Sequence, residues 1–298
     1  GTQNYVGHGA YCGGSYRSGS AALFGDHRAM PHGKPDLAHA EFVIFIGTAP
    51  GNAGNPFKRT GQLLAEGRAD GRLEYVVVDP LLTNADNRAA PEQGRWVPIV
   101  PGTDGALLMG MMRWMFENDR VNTAYLANPS LAVAEAAGEP SFCNASWLVI
   151  DQPDHPRDGR CLRGSDIGFD LRGAERYGDA DPYLVMGADG RPLAVNEATG
   201  PAALDIDTTV DSAGKAVRVR TAYTLLRASA MRQTLAEYAA ECGIAADVIS
   251  GLADEFTRHG RKACAIAHGG MMSGAGFYNA FAVVTLNTLI GNLNWKGG

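Results

Sequence analysis

The sequence predicts an α/β fold with a doubly wound, mainly parallel sheet and helices on both of its faces. Two runs, AEFVIFIG (40–47) and LEYVVVDP (73–80), are continuously apolar and rich in β-branched residues, which is typical of strands buried on both sides. RWVPIVPGTD (95–104) is a shorter third strand. Helical patterns follow from Phe57 to about Ala69 and over 104–118. This repeated strand–loop–helix order indicates parallel strands.

The pattern differs outside this stretch. Residues 1–35 are predicted as loop with one short helix near Ser18–Gly25, because they are rich in Gly, Ser and His and show little periodicity. Residues 150–222 are predicted as an insertion of irregular chain that contains a β-hairpin over 182–195, turning at Asp189-Gly190. The α/β pattern then resumes with helices at 221–243 and 245–260, a strand at 262–270 and a helix at 276–292. We expect a single domain over 1–298.

Composition and charge exclude several classes of protein. The net charge is −6, so nucleic acid is not expected as a partner, since phosphate binding needs a basic face. No apolar run approaches the roughly 18 residues of a membrane-spanning helix. The five cysteines form no C-x-x-C pair, which excludes a zinc ribbon or an iron–sulfur motif within this sequence. Because the chain opens on GTQNYVGHG without Met and closes on NWKGG, we interpret it as an internal piece of a longer protein.

The loop after the first strand, GTAPGNAGNP, has the composition of an anion-binding turn. Backbone N–H groups in a glycine-rich loop, together with the following helix N-terminus, can bind phosphate oxygens. The spacing matches neither the dinucleotide motif G-x-G-x-x-G nor a Walker P-loop, so an ordinary glycine-rich turn remains an equal alternative. The candidate residues of this loop are Gly47, Thr48, Gly51, Asn52, Gly54 and Asn55.

Two aspartates lie at equivalent ends of the predicted strands. Asp79 ends the second strand, where an acidic group of a doubly wound sheet reaches a ribose hydroxyl or a base edge. Asp104 follows the third strand and opens a helix. A carboxylate complements the two adjacent N–H donors of a guanine edge. Taken singly, each aspartate has a structural alternative, which for Asp104 is a helix cap; taken with the glycine loop, they favour a nucleotide-like ligand.

Cys12 lies in HGAYCGGSYRSGS, a context unlike that of a core cysteine. The nearby cation Arg17 would favour its thiolate, which is the form that acts as a nucleophile or metal ligand. His8 is an available base, but nothing in the sequence fixes it beside the thiol. An inert loop cysteine remains the alternative.

The order of these motifs is more specific than any one of them. Cys12 in its glycine-rich context is followed by GTAPGNAGNP, VVVDPLLTNAD, WVPIVPGTDGALLMGMM, HGG and a closing LNTLIGNLNWKGG. This succession resembles the dimethyl sulfoxide reductase family of molybdopterin oxidoreductases and covers nearly the whole chain except 150–222. The AYCGGSYRSGS context looks most like the tetrathionate reductases of that family, with arsenate and polysulfide or thiosulfate reductases as relatives.

The resemblance implies a molybdenum bis(molybdopterin guanine dinucleotide) cofactor with Cys12 as the protein ligand of the metal. A soft thiolate suits such a redox-active metal. It also implies a [4Fe–4S] cluster in an N-terminal part that this chain lacks, along with missing C-terminal domains. The cofactor-binding residues that it implies are Gly47, Thr48, Gly51, Asn52, Asn55, Asp79, Thr83, Gly102 and Asp104, with His268 and Gly269 beside the pterin.

The implied function is part of the catalytic subunit of a molybdenum-dependent reductase that converts tetrathionate to thiosulfate, with the isolated piece inactive alone. Arsenate or polysulfide/thiosulfate reduction, and a non-catalytic nucleotide-binding domain, are the alternatives. We expect Arg17 to position a small anionic sulfur oxyanion, although a structural salt bridge is an equal alternative. The resemblance further implies a periplasmic location, and electron-transfer and membrane-anchor subunits that act through the parent protein.

Overall fold

The structure is a computed structural model. It describes residues 2–4, 9–25, 33–50, 57–82, 94–172, 180–212, 214–267 and 271–298, except for the side chains at 9–12, 57, 58 and 94. Within these residues the strands are β1 (Phe42–Ile46), β2 (Glu74–Val78), β3 (Gly94–Val97), β4 (Leu148–Ile150), β5 (Leu184–Met186), β6 (Pro192–Ala194), β7 (Asp207–Ser212), β8 (Lys215–Thr221) and β9 (Ala263–Ala267).

The helices are numbered in the same way. They are α1 (Gly9–Phe24), α2 (Phe57–Ala69), α3 (Asp104–Glu117), α4 (Thr123–Leu126), α5 (Leu131–Ala136), α6 (Ala222–Ala230), α7 (Leu235–Cys242), α8 (Ala246–Arg258) and α9 (Gly276–Leu289), with short 3-10 turns at Gly164–Ile167, Val195–Glu197 and Gly260–Lys262. In the part of the chain that is described, none of these helices has the length and apolar content needed to cross a membrane.

The chain folds into two compact units. The first unit comprises Gly1–Val121 and Gln233–Gly298, and the second unit comprises Asn122–Arg232. The second unit contains the whole of the predicted insertion at 150–222 and extends beyond it at both ends. The assignment of 1–298 to one cofactor-binding domain stays a prediction.

The first unit contains a four-stranded parallel sheet in the order β3-β2-β1-β9. All five residues of β1 are buried; because successive side chains of a strand point to opposite faces, both faces of the sheet are covered there. The order of the strands reverses beside β1, as in a doubly wound sheet. The predicted α/β fold is therefore confirmed.

The strand order decides where a ligand is expected. In a doubly wound sheet, ligands bind outside the carboxyl ends of the strands, at the point where the order reverses. Here that point lies between β1 and β9, whose pairing runs from Phe42 with Ala263 to Ile46 with Ala267. The segments after Ile46, Val78 and Val97 therefore leave the sheet at one edge.

Helix α1 contradicts the prediction of loop with one short helix near Ser18–Gly25. The helix begins at Gly9 and runs for 16 residues, so Cys12 lies on a helix rather than in a loop. The glycines give this segment a poor helix propensity, but tertiary packing outweighs that propensity. A Cβ atom at Gly19 would lie 2.7 Å from the Cβ of Ala280 and 2.7 Å from the carbonyl oxygen of Phe277, so only glycine allows α1 to pack this closely on α9.

The single helix predicted over 221–243 is also wrong, because the chain turns between α6 and α7. Thr234 and Glu237 form a capping box that starts α7 anew. The Thr234 backbone N–H donates to Glu237 at 2.6 Å, and the Glu237 N–H donates to Thr234 Oγ1 at 3.2 Å. A threonine followed three residues later by a glutamate is the signal in the sequence that marks this break.

The second unit holds the predicted hairpin. Strands β5 and β6 pair antiparallel from Leu184–Ala194 to Met186–Pro192, and Gly190 in the turn has a φ of 77°. A separate antiparallel sheet has the order β4-β8-β7. The buried side chains of this unit include Leu148, Ile150, Leu162, Leu184, Met186, Val210, Val217 and Val219.

The outer edge of β9 is closed by two asparagine side chains. Asn287 Oδ1 accepts from the Ala265 N–H at 3.0 Å, and Asn287 Nδ2 donates to the Ala265 carbonyl at 2.8 Å. Asn292 Nδ2 donates to the carbonyl of Ala263 at 2.7 Å and to Asn287 Oδ1 at 2.9 Å. These amides replace a neighbouring strand, which explains the asparagines of the closing LNTLIGN segment structurally.

We expect Asn287→Leu to lower the free energy of unfolding by about 2–6 kcal/mol, because two buried backbone groups of Ala265 would each lose a partner at about 1–3 kcal/mol. The measurement is urea denaturation followed by circular dichroism. Thr288→Val is the matched control on the same helix, since that hydroxyl donates to the Val284 carbonyl of its own helix. A loss below about 1 kcal/mol for Asn287→Leu would contradict the edge-closing role.

Candidate functional site

The turn after β1 brings two predicted residues to the carboxyl edge of the sheet. Gly47 has a φ of 54°, in the left-handed region that favours glycine, and its N–H donates to the Val78 carbonyl at 2.8 Å. Thr48 is buried, and its hydroxyl donates to the Ile46 carbonyl at 3.2 Å. Both residues therefore fix the direction in which the chain leaves β1.

Asp79 begins the loop after β2 and is held through its backbone and its side chain. Its carbonyl accepts from Trp96 Nε1 at 2.8 Å, and its Oδ1 accepts from the Leu81 N–H at 3.0 Å. This second bond forms an Asx-turn that directs the chain outward. Leu81 and Leu82 follow in the chain with 72% and 57% of their surface exposed.

The chain turns sharply just before α3. Gly102 has a φ of 81°, and a Cβ placed there would meet no atom within 4 Å. Thr103 stabilises the turn, because its hydroxyl and its N–H both donate to the carbonyl of Val100, at 2.7 and 3.3 Å. Glycine is thus required at 102 by its backbone conformation, and open space lies beside it.

Asp104 is the first residue of α3, and its residue surface is only 6% exposed. The residue that precedes the helix is Thr103, so Asp104 is not the N-cap that we considered as an alternative. Its Oδ2 accepts from Asn279 Nδ2 at 3.1 Å. Burial raises the pKa of the Asp104 carboxyl, its own backbone N–H lowers that pKa, and the nearby Asp79 carboxylate raises it further. The structure therefore brings Asp79 and Asp104 within electrostatic range of each other.

Asn279 is the residue of this group that the sequence analysis missed. It lies in α9 and is 3% exposed. A polar amide within the apolar helix GFYNAFAVV was the available signal, because a buried amide needs hydrogen-bond partners. The sequence could not identify the partner, since Asp104 lies 175 residues earlier.

We expect Asp104→Asn to raise the midpoint of urea unfolding at pH 7 in the cofactor-free protein. Because the pKa of Asp104 is raised in the folded state, its protonated form stabilises the fold, and this stabilisation is lost as the pH rises through that pKa. Asparagine does not titrate, so the variant keeps its stability over the same pH range. The difference in midpoint between the variant and the wild type should decrease as the pH falls towards the ordinary pKa of aspartic acid, about 3.9. Asp247→Asn is the control, because Asp247 also lies in the first turn of a helix but is exposed. A lower midpoint for Asp104→Asn at pH 7 would contradict this prediction.

Helix α1 sets the surroundings of Cys12. Tyr16 lies one turn further on and is buried, which raises its pKa to about 12. Arg17 is exposed, and its side chain forms no hydrogen bond or ion pair with the side chains that the structure describes. Its Nε lies 4.0 Å from the position of a Cβ at Gly13, so the side chain runs back along the helix towards the residue after Cys12.

Several predicted positions lie outside the described residues. They are Gly51, Asn52, Gly54, Asn55, Thr83, His268, Gly269 and His8. For Cys12 the backbone is described but the side chain is not. Among the side chains that the structure does describe, no three His, Cys, Asp or Glu residues converge on a possible metal position.

The other cysteines have no features of a reactive site. Cys242 and Cys264 are buried, and both lie in apolar stretches of the sequence. Burial raises the pKa of Cys264, and it raises that of Cys143 to about 12. Cys161 is half-buried, and burial raises its pKa as well. These thiols are therefore protonated at neutral pH.

The sequence and fold are similar to those of known proteins. A tetrathionate reductase subunit of Salmonella typhimurium is 44% identical over the whole chain, which covers 28% of that protein. A selenate reductase subunit of Mesobacillus selenatarsenatis is 35% identical over 89% of the chain, which covers 24% of it. The solved structure of acetylene hydratase from Pelobacter acetylenicus matches 98% of the chain with a TM-score of 0.53 and 14% sequence identity. The match covers 26% of the acetylene hydratase chain and shows a likeness of fold alone. No family model matches.

The chain thus spans about a quarter of the length of these curated relatives. Both relatives are reductases. The order of motifs in the sequence, from Cys12 through Asp79 and Asp104 to the closing LNTLIGN segment, predicts a reductase of this kind. On this evidence the chain belongs to the dimethyl sulfoxide reductase family of molybdopterin oxidoreductases, and over its whole length it is similar to a tetrathionate reductase subunit.

Proposed function

We propose that this chain is part of the catalytic subunit of a molybdenum-dependent reductase that reduces tetrathionate to thiosulfate. The observation that carries the proposal is the 44% identity to a tetrathionate reductase subunit over the whole chain. In the overall reaction, two electrons enter tetrathionate, its central S–S bond breaks, and two thiosulfate ions leave. No proton is consumed in that balance.

The cofactor that we propose is molybdenum bis(molybdopterin guanine dinucleotide). The carboxyl edge of the sheet suits its nucleotide part, because the buried carboxylate of Asp104 lies near Asp79 and close in sequence to the open space at Gly102. A buried carboxylate costs free energy unless donors satisfy it, and a guanine edge supplies two adjacent N–H donors. We assign the pyrophosphate and guanosine contacts to Gly47, Thr48, Gly51, Asn52, Asn55, Asp79, Thr83, Gly102 and Asp104, and the pterin contacts to His268 and Gly269.

Cys12 is the proposed protein ligand of the metal. When bound, the cofactor supplies the two-electron redox chemistry, and the protein supplies binding and orientation. A cysteine thiolate is the appropriate ligand for a soft, redox-active metal. The helical backbone of α1, packed on α9 at Gly19, supports this residue on a rigid element.

Arg17 is the proposed substrate-binding residue. Tetrathionate is a dianion with a sulfonate at each end, so a guanidinium that can donate to two oxygens is a suitable partner. The side chain of Arg17 is exposed and runs back over Gly13, the residue that follows Cys12 in α1. A structural salt bridge of Arg17 remains the alternative to this role.

Selenate is the second candidate substrate, because a selenate reductase subunit is 35% identical over 89% of the chain. Arsenate and polysulfide or thiosulfate remain alternatives of the same oxyanion or sulfur class. We also propose that the parent protein is periplasmic, carries a [4Fe–4S] cluster in its N-terminal part, and receives electrons through electron-transfer and membrane-anchor subunits.

The test is substrate reduction by the full-length, cofactor-loaded protein with reduced methyl viologen as the electron donor. We expect the highest kcat/KM with tetrathionate, and lower values with selenate, arsenate and polysulfide. A higher kcat/KM with selenate would replace the proposed substrate and keep the enzyme class. Loss of activity with every one of these oxidants, in protein shown to contain molybdenum, would contradict the reductase proposal.

A further inference from the structure

We infer that Asn279 is a positioning residue for nucleotide recognition, which holds the carboxylate of Asp104 so that it selects guanine over adenine. This inference rests on the proposed function, because it deepens the role given there to Asp104. Asn279 touches Asp104 rather than the nucleotide, so its effect is transmitted through that carboxylate.

The contacts of Asn279 fix its amide on two sides. Its Nδ2 donates to Asp104 Oδ2 at 3.1 Å. Its Oδ1 lies 3.0 Å from the position that a Cβ would take at Gly105, so a side chain at 105 would displace the amide. Since Asn279 is 3% exposed, it does not exchange these contacts for water. Gly105 thus leaves the room in which the amide is held against Asp104.

The position of Asn279 in the fold explains why it matters for a ligand at the sheet edge. Asp104 begins the helix that follows β3, and Asn279 lies in the helix that follows β9. β3 and β9 are the two outer strands of the described sheet. The Asn279–Asp104 hydrogen bond therefore ties together the elements that leave opposite sides of the proposed site.

The bond also determines what Asp104 offers to a base. Asn279 donates to Oδ2 and the backbone N–H of Asp104 also donates to the carboxylate, whose remaining lone pairs can accept from a base. Guanine presents two adjacent N–H donors on one edge, whereas adenine presents an acceptor beside its amino group. Burial and the Asp79 carboxylate oppose the ionised form of Asp104, whereas its own backbone N–H favours that form. The hydrogen bond that Asn279 donates to Oδ2 acts in the same direction as the backbone N–H. Asp79 is the charged side chain that acts on Asp104 among the described residues.

The experiment uses the full-length protein prepared without its cofactor, with GMP and AMP as probes in titration calorimetry at several pH values. We expect the wild-type protein to bind GMP at least about tenfold more tightly than AMP, the effect of one charge-assisted pair of hydrogen bonds. Asn279→Ala should lower the affinity for GMP about tenfold and leave that for AMP unchanged. It should also move the acid limb of the GMP-binding profile to higher pH, because the carboxylate loses a donor that favours its charge.

Two further variants make the outcomes separable. Asn279→Asp keeps the volume of the side chain and adds a charge of the same sign as that of Asp104, so it should move the acid limb of the GMP-binding profile to still higher pH. If circular dichroism shows that Asn279→Ala does not fold, Asn279→Asp takes its place. Thr288→Val on the same helix should change neither affinity nor profile. If Asp104→Ala abolishes the preference for GMP while both Asn279 variants keep the wild-type affinity and profile, the positioning role is refuted and the nucleotide site stands. If the wild-type protein shows no preference for GMP, the proposed guanosine contact at Asp104 is itself refuted.

Discussion

Cys12→Ala is expected to lower the tetrathionate reductase activity of the full-length protein at least about 100-fold. Mutation of a residue that only hydrogen-bonds to a metal ligand already lowers metal affinity or activity about 10–100-fold, and loss of the ligand itself should have a larger effect. The measurement is kcat with reduced methyl viologen and tetrathionate. Nucleotide binding should survive, since the sheet edge with Asp79 and Asp104 is formed by other elements.

Two controls make this result specific. Cys161→Ala removes a half-buried thiol of the second unit and should leave kcat unchanged. Cys12→Ser keeps the size of the side chain but replaces a soft thiolate with a harder oxygen, so it should restore little activity. A Cys12→Ala protein with wild-type kcat would show that Cys12 is not the ligand, and would favour the inert cysteine.

Arg17→Ala is expected to raise the KM for tetrathionate about 10–100-fold while the molybdenum content stays that of the wild type. A hydrogen bond to a charged group contributes about 1.5–3 kcal/mol, and about 1.4 kcal/mol corresponds to a tenfold change. Since Arg17 is exposed on α1 with no ion pair recorded among the described residues, its loss should not destabilise the fold. The measurement is steady-state kinetics together with metal analysis.

Arg17→Lys keeps the charge but not the planar fork, so we expect an intermediate KM. Arg160→Ala is the matched control, because Arg160 is an exposed arginine of the second unit that forms no ion pair within the described part of the chain. If Arg17→Ala left KM unchanged, Arg17 would have no part in substrate binding. Equal increases in KM for Arg17→Ala and Arg160→Ala would indicate a general effect of surface charge.

The sequence predicted those parts of the fold in which local pattern and tertiary packing agree. The continuous apolar runs became β1 and β2, and α2 occupies Phe57–Ala69 as expected. Asp79 and Asp104 were placed at strand ends, and the parallel sheet brings those ends to one edge. The rule that ligands bind at this edge depends on topology alone, so it could be applied before any contact was known.

The sequence failed where distant packing overrides local preference. α1 is rich in glycine and has no strong apolar stripe, yet Gly19 lets it pack closely against α9. The partnership of Asn279 with Asp104 joins positions 175 residues apart. Neither the local secondary-structure propensity nor the spacing of motifs predicts such a contact. The candidates at 51–55, 83 and 268–269 lie outside the described residues, so their roles stay predictions.

The most direct test of the central claim is metal and pterin analysis of the full-length protein, purified anaerobically after adequate supply of molybdate. We predict molybdenum together with guanine released from the cofactor by acid hydrolysis, in a ratio of about two guanines to one metal, as a bis(guanine dinucleotide) cofactor requires. Protein that contains neither molybdenum nor pterin under these conditions would contradict the account and leave a nucleotide-binding α/β fold without redox chemistry.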